Sequence, residues 1–184
     1  MMKKLIIPVP LYLPLFTASC TIYTQKFEEK TITKYYVADG DTIYFYNNDK
    51  KIGIRILGID TPETKKKNND VATLENHFAQ LAKNELINFL KNKPIKIEKI
   101  NEDKYGRWVC RIYNSEGVDA GLHLIKGGFA RVKYLEKTPK NINYWNNHGK
   151  IIDYFNTLKN TEEKAKRNRK GIWKHKTKEI FKKK

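Results

Sequence analysis

Three successive segments, residues 31–37 (TITKYYV), 41–47 (DTIYFYN) and 51–59 (KIGIRILGI), alternate apolar or aromatic with polar residues at period two. Their β-branched and aromatic content specifies strands with one buried face, and the Asn47-Asn48-Asp49 cluster joins the last two as a hairpin. Charged residues bracket that hairpin. Asp39 and Asp41 precede it, Arg55 lies inside its second arm, and Asp60 and Glu63 follow. Two carboxylates brought together at strand ends cannot both be buried and charged without a counter-ion, so a divalent cation is a natural occupant. D-G and D-T-P are also strong turn sequences, so the aspartates taken alone leave a cation site and a pair of turn formers both open.

The rest of the chain supplies two more strands and three helices. Leu74, Phe78, Leu81, Ala82, Leu86 and Phe89 fall at helical spacing and define one apolar stripe, which Pro94 ends. Residues 64–70 (TKKKNND) form a polar loop before that helix. PIKIEKI and WVCRIYN read as strands on either side of the turn NEDKYGR. A short helix over 119–127 stops at Gly127-Gly128, and a long one from about Trp145 to Lys170 stops at Gly171. Five strands without regular strand-helix alternation argue against a doubly wound sheet. They fit an α+β fold, a small closed barrel carrying helices.

The N-terminus has its own character. An apolar run from Leu5 to Phe16, interrupted by Pro8, Pro10 and Pro14, is too short to cross about 30 Å of hydrocarbon as a helix. With Lys3 and Lys4 before it and Thr17, Ala18 and Ser19 after it, it reads as a signal peptide over residues 1–19. Small residues immediately before Cys20 resemble the bacterial lipoprotein box, in which that cysteine is lipidated; ordinary secretory cleavage and an uncleaved anchor are the alternatives. We therefore expect an exported, lipid-anchored protein, with residues 20–30 as a tether, 31–173 as the folded domain and 174–184 as a basic tail. Removing residues 1–19 lowers the net charge only from +17 to +15. So basic a surface attracts polyanions, with nucleic acid, anionic lipid and cell-surface polymers as the candidates. Cys110, in the alternating run WVCRIY, is expected to be a small buried residue rather than a reactive thiol.

The arginines favour the cation reading. Arg55 stands among apolar neighbours in a strand, where a guanidinium is costly unless an anion meets it, and Arg107 follows the tight Asp-Lys-Tyr-Gly turn. Two guanidinium forks, a metal and a carboxylate are the parts needed to hold a phosphodiester, offset the charge of its transition state and orient a water. The four histidines, at 77, 123, 148 and 175, show no zinc spacing, which favours calcium or magnesium.

DGDT at Asp39 to Thr42, RILGIDTPE at Arg55 to Glu63, DKYGR at Asp103 to Arg107, GGFARV at Gly127 to Val132 and GIW at Gly171 to Trp173 occur in this order. Together they resemble the thermonuclease, or staphylococcal nuclease-like, family through most of residues 31–173. The resemblance implies a five-stranded OB-fold barrel with three helices, and calcium-dependent cleavage of DNA and RNA that leaves 3′-phosphate ends. By position it implies Asp41, Asp60 and the Thr61 carbonyl as calcium ligands, Glu63 as general base, and Arg55 and Arg107 on the phosphate. Lys104 and Tyr105 fall where the family contacts the nucleotide, and Tyr134 where it stacks a base; Glu136 replaces the aromatic usual two positions later. A monomer is expected. A membrane-tethered OB module that binds nucleic acid without cutting it is the competing reading, though it leaves the acids without a role.

Overall fold

The computed structural model describes residues 27–65, 73–135 and 149–181. The signal peptide, Cys20, most of the loop after Thr64, Glu136 and the start of the long helix as read from the sequence lie outside the described residues. Strands β1 (Glu28–Ile32), β2 (Tyr35–Asp39), β3 (Thr42–Asn47), β4 (Lys50–Ile56) and β5 (Ile59–Asp60) are followed by helix α1 (Thr73–Leu90). Then come β6 (Ile95–Glu102), β7 (Trp108–Tyr113), α2 (Ala120–Gly127), β8 (Arg131–Val132) and α3 (Gly149–Arg167), with a 3-10 turn (Gly171–Lys174) and a one-turn α4 (Thr177–Ile180) closing the described chain.

Six strands form one sheet in the order β1-β6-β7-β4-β3-β2, antiparallel except for the parallel β4–β7 pair. The outermost strands, β1 and β2, are separated in sequence by only Thr33 and Lys34. Three Cα steps span at most about 11 Å, whereas six strands laid flat are about 24 Å wide, so the sheet must curl until its edges approach. The result is a half-barrel with helices packed on it, the α+β, OB-like fold expected.

The strand inventory is finer than the five expected. The run 31–37 breaks at Thr33-Lys34 so that its halves serve opposite edges, and β1 begins at Glu28, inside the stretch read as a tether. The run 51–59 breaks at Leu57-Gly58, where Gly58 takes φ +75°, and its end becomes β5, which pairs with β8.

One core fills the curl. Ile43, Phe45, Ile54, Ile97, Cys110 and Ile112 are buried on the concave face, and Leu86 and Leu90 of α1, Leu124 of α2 and Leu158 of α3 close it. Cys110 is fully buried, and desolvation pushes its thiol pKa far up, as suits a packing residue. In α1 the buried stripe runs Phe78, Ala79, Ala82, Leu86, Leu90, while Leu81, expected in the stripe, is exposed. The two glycine motifs meet each other: Gly128, at φ +75° and capping α2, sits so close to Lys170 that a Cβ would lie 2.3 Å from its carbonyl oxygen. Ile172 N donates to Gly128 O at 2.9 Å, docking the end of α3 on the end of α2. Beyond it, where the sequence reads as a basic tail, Ile180 and Phe181 are buried with Phe78 and Ile172 in a second apolar cluster. Two apolar residues at the end of a one-turn helix are too few to register as a periodic signal.

Candidate active site

The two aspartates of the hairpin region meet because β3 and β4 place Thr42 opposite Arg55 while β5 turns back past them. Gly40 lets the D-G-D segment press against α1, since a Cβ there would lie 2.7 Å from the Cβ of Ala82. Arg55 Nη2 is 3.0 Å from Asp41 Oδ2 and 3.3 Å from Asp60 Oδ1, so one nitrogen serves both carboxylates. Both acids are buried, at 6% and 5% exposure. Asp41 also accepts from the Thr42 hydroxyl at 2.9 Å and from Thr61 N at 3.3 Å.

Burial, reinforced by the charge of Asp60, raises the pKa of Asp41 above the ordinary carboxylate value despite Arg55 and its two hydrogen bonds. Burial opposes the charge on Arg55, yet Asp41 and Asp60, helped by Tyr134 and Glu63, outweigh it and hold the guanidinium charged. A single shared arginine thus leaves Asp41 under-compensated, and the pocket favours more positive charge.

Part of that charge comes from Arg131, which sequence reasoning did not select. Its Nε and Nη2 donate to Asp60 Oδ2 at 2.9 and 2.7 Å across the β5–β8 pair, and Lys133 Nζ is 3.6 Å from the same oxygen. The strand β8 is fixed from behind by Glu162 of α3, which accepts from Val132 N at 2.7 Å. Arg131 stands in the GGFARV motif, but no local pattern announces a partner 71 residues away.

Glu63 is partly buried beside this cluster. Its backbone N donates to the buried Glu75 of α1 at 3.4 Å, Lys65 N donates to Asn76 Oδ1 at 2.8 Å, and the Thr64 hydroxyl donates to Asp39 Oδ1. These bonds fasten the segment carrying Glu63 to α1 and to the end of β2 at Asp39. Tyr134 completes the cluster, its ring centroid 4.8 Å from Arg55 Cζ, with backbone φ +62°. A left-handed tyrosine is a strained conformation that the surroundings must enforce, and such strain concentrates at functional sites.

The remaining expected residues sit on the β6–β7 turn. Asp103 accepts from Tyr105 N and Arg107 N and pairs with Arg107 Nε at 2.7 Å, closing a tight turn at Gly106. The Arg107 stem lies on Gly53, 3.1 Å from where a Cβ would be, hence on the same face of the sheet as Arg55 two residues further along β4. Tyr105 is 72% exposed, with Lys104 Nζ 5.0 Å from its ring centroid. The structure therefore gathers Asp41, Arg55, Asp60, Thr61, Glu63 and Tyr134 in one cluster, and sets Lys104, Tyr105 and Arg107 beside it on a neighbouring turn. In this state Arg107 is engaged by Asp103 rather than by the two buried aspartates.

Among the described residues no group of three or more His, Cys, Asp or Glu side chains is gathered as a metal cage. The donor set that is present, two buried carboxylates of which one is under-compensated plus the carbonyl beside them, fits a hard cation that completes its six to eight oxygen positions with water and substrate oxygens.

The comparisons decide the family. A profile described as staphylococcal nuclease homologue matches residues 53–175. The chain belongs to that family. Among its relatives, the endonuclease YncB of Bacillus subtilis is 35% identical over 135 residues, covering 73% of this chain and 57% of that protein. A thermonuclease of Staphylococcus hyicus is 27% identical over 145 residues, covering 79% of this chain and 76% of its own length. An uncharacterized protein of Methanocaldococcus jannaschii is 35% identical over 157 residues, covering 74% of this chain and 68% of its own.

Proposed function

We propose that this protein is a nuclease that hydrolyses phosphodiester bonds of DNA and RNA in the presence of calcium. The observation that carries the reading is the single Arg55 nitrogen shared between two buried aspartates, with the charge of Glu63 acting on Arg55 and Arg107 on the same face of the sheet. Asp41, Asp60 and the Thr61 carbonyl would hold the cation, which supplies Lewis-acid polarisation of a phosphoryl oxygen. Glu63 accepts a proton from the attacking water, whose oxygen forms the new bond to phosphorus while the bond to the 5′ oxygen breaks, and that oxygen leaves with the bonding pair and takes a proton from solvent to become the 5′ hydroxyl. Arg55 places its guanidinium against the oxygens where charge accumulates, where preorganised donors contribute most. Arg107 keeps Nε and Nη2 on Asp103 and offers Nη1 to a phosphate oxygen. Lys104 and Tyr105 contact the adjoining nucleotide, and Tyr134 presents a ring for a base. A protein that only bound nucleic acid would be weakened by carboxylates in its groove.

The test is to incubate the purified protein with single-stranded DNA, duplex DNA and RNA, in calcium and in excess chelator. Cleavage confined to the calcium arm supports the reading, and tight binding without cleavage in both arms hands the case to the non-cleaving module.

For location, we propose export and lipidation at Cys20, supported by the residues Thr17-Ala18-Ser19 before it. A single acyl chain holds a membrane only weakly, so the basic surface would contribute at anionic lipid. Cys20→Ser should shift the protein from the detergent to the aqueous phase, and unchanged partitioning with residues 1–19 removed would refute the anchor.

A further inference from the structure

Cross-strand register on β2, β3 and β4 builds a second surface on the convex face of the sheet. Tyr36 stands opposite Tyr44, Tyr44 opposite Gly53, and Tyr46 opposite Lys51. The neighbours of these residues in sequence, Ile43, Phe45 and Ile54, point into the core, so the tyrosines and Lys51 all face outward. Gly53 makes the row continuous with the catalytic side. A Cβ there would be 3.0 Å from Tyr44 Cε1 and 3.1 Å from Arg107 Cγ, so the bare backbone lets the tyrosine edge and the arginine stem close over the strand.

The rings of Tyr36 and Tyr44 stack at a centroid distance of 5.4 Å and an angle of 21°. Lys51 Nζ lies 4.4 Å from the Tyr44 ring centroid and 5.4 Å from that of Tyr36. Even so, Tyr36 remains 43% exposed and Tyr46 65% exposed. Tyrosine suits strands in general, but sheet formation alone asks for no ammonium over the rings and no glycine where the row meets Arg107. Exposed rings interleaved with cations, on a chain of net charge +17, complement a polyanion that also carries flat apolar faces.

We propose that this strip is a binding subsite for single-stranded nucleic acid, in which unpaired bases stack on Tyr36 and Tyr46 while Lys51 meets a phosphate. The strip starts at Arg107 and Gly53 and runs toward the tip of the β3–β4 hairpin. Lys51 lies four residues from Arg55 along β4, about 13 Å of strand, so the strip engages nucleotides beyond those held at Arg55. The inference rests on the nuclease reading for its direction, since the strand would leave the phosphate held by Arg55 and Arg107 and pass over Gly53. It makes affinity depend on substrate length and on strandedness.

The experiment measures affinity for a series of single-stranded oligonucleotides of increasing length, and for duplexes of matched length, in chelator so that the strand stays intact. Wild type is compared with Tyr36→Ala, Tyr46→Ala, Tyr36→Phe, Tyr46→Phe and Lys51→Ala, each checked by thermal melting. Each alanine variant at a tyrosine should weaken long single strands by about fivefold or more, since base–aromatic stacking is worth roughly 1–3 kcal/mol per base. The phenylalanine variants should retain wild-type affinity, and the shortest oligonucleotides and the duplexes should not respond. Lys51→Ala should flatten the slope of log affinity against log salt by about 0.7, the value for one phosphate contact on a single strand. Equal losses for duplex and single strand, or alanine variants that keep full length dependence, would overturn the subsite. Cleavage by wild type with no response in the variants refutes the strip and leaves the nuclease standing, whereas lost binding in the variants of a protein that never cleaves supports the strip and refutes the nuclease.

Discussion

Arg131 donates from both Nε and Nη2 to one oxygen of Asp60, at 2.9 and 2.7 Å, while the other oxygen of Asp60 faces Arg55 at 3.3 Å. Asp60 is thereby held between two strands, and its charge is compensated from both sides before any cation arrives. On the proposed calcium site a cation would share Asp60 with these arginines, and their removal should make it more important to the fold.

Arg131→Met should lower the melting temperature by several degrees. The loss stays below the roughly 3–5 kcal/mol that follows removal of one partner of a fully buried pair, because Arg131 is 21% exposed and Arg55 still faces Asp60. Calcium should raise the melting temperature of Arg131→Met by more than that of the wild type, because an ion that binds only the folded state stabilises by mass action and here replaces a lost positive charge. Calorimetry with and without calcium checks this, and equal calcium shifts in the two proteins would refute the sharing.

The C-terminal segment reaches the same residue. The Phe181 ring centroid lies 3.6 Å from Arg131 Cζ, and Ile180 is fully buried against the Phe78 and Ile172 cluster. Phe181→Ala should cost on the order of 2–4 kcal/mol by cavity formation and loss of the ring–guanidinium contact. It should also reduce calcium affinity by loosening Arg131. Denaturant titration gives the first number and calcium titration of the folded protein the second. An unchanged calcium affinity would limit Phe181 to packing.

Much of this was legible in the chain. Period-two alternation located β3, β4, β6 and β7, since each has one face on the core, and helical spacing located α1. The sequence motifs also named Arg55, Asp41, Asp60 and Glu63 as neighbours, because a hairpin and a turn of few residues connect them. Arg131 was not selected because its role depends on a two-residue pairing between β5 and β8, too short for any periodic signal and 71 residues from Asp60. Leu81 is exposed because the buried stripe of α1 takes in Ala79 instead, while Ala82, expected in the stripe, packs where Gly40 comes closest. The tyrosine row is hidden for the same kind of reason: Tyr36, Tyr44, Gly53 and Arg107 become adjacent only through register across three strands and the β6–β7 turn.

The β6–β7 turn should weaken in acid. Although burial alone would raise the pKa of Asp103, hydrogen bonds from the Arg107 side chain and from Arg107 N and Tyr105 N bring it below the ordinary aspartate value of 3.8. A folded pKa below the unfolded one gives stability that is fully present above 3.8 and is lost as pH falls through the lowered value. Titration of the Asp103 carboxyl by NMR should show that lowered midpoint, accompanied by release of Tyr105 and Arg107. Asp103→Asn should abolish the transition, and a midpoint at or above 3.8 would contradict the hydrogen-bonded turn.

Arg55→Lys should lower turnover by roughly two to three orders of magnitude, with substrate affinity nearly unchanged, because a point charge cannot reproduce a planar fork aimed at developing charge. A lysine also cannot hold Asp41 and Asp60 as one guanidinium nitrogen does, so the melting temperature should fall in chelator and recover in part with calcium. Turnover retained with affinity lost would make Arg55 a binding residue.

Glu63→Gln separates a proton acceptor from a structural carboxylate. The backbone of Glu63 is fixed by Pro62 before it and by the bond from its N to Glu75, so the amide occupies the same place and shape. If Glu63 takes the proton of the attacking water, cleavage should fall about a hundredfold or more. Affinity for nucleic acid should hold or rise, because one negative charge has left a groove that receives a polyanion. The charge of Glu63 also acts on Arg55, so its loss trims the support that keeps Arg55 charged, but Asp41 and Asp60 carry the larger share and Arg55 stays protonated. Cleavage and filter binding measured on the same variant decide the point: equal cleavage by wild type and Glu63→Gln would remove Glu63 from the proton transfer, and a parallel loss of both would show that it shapes the groove instead.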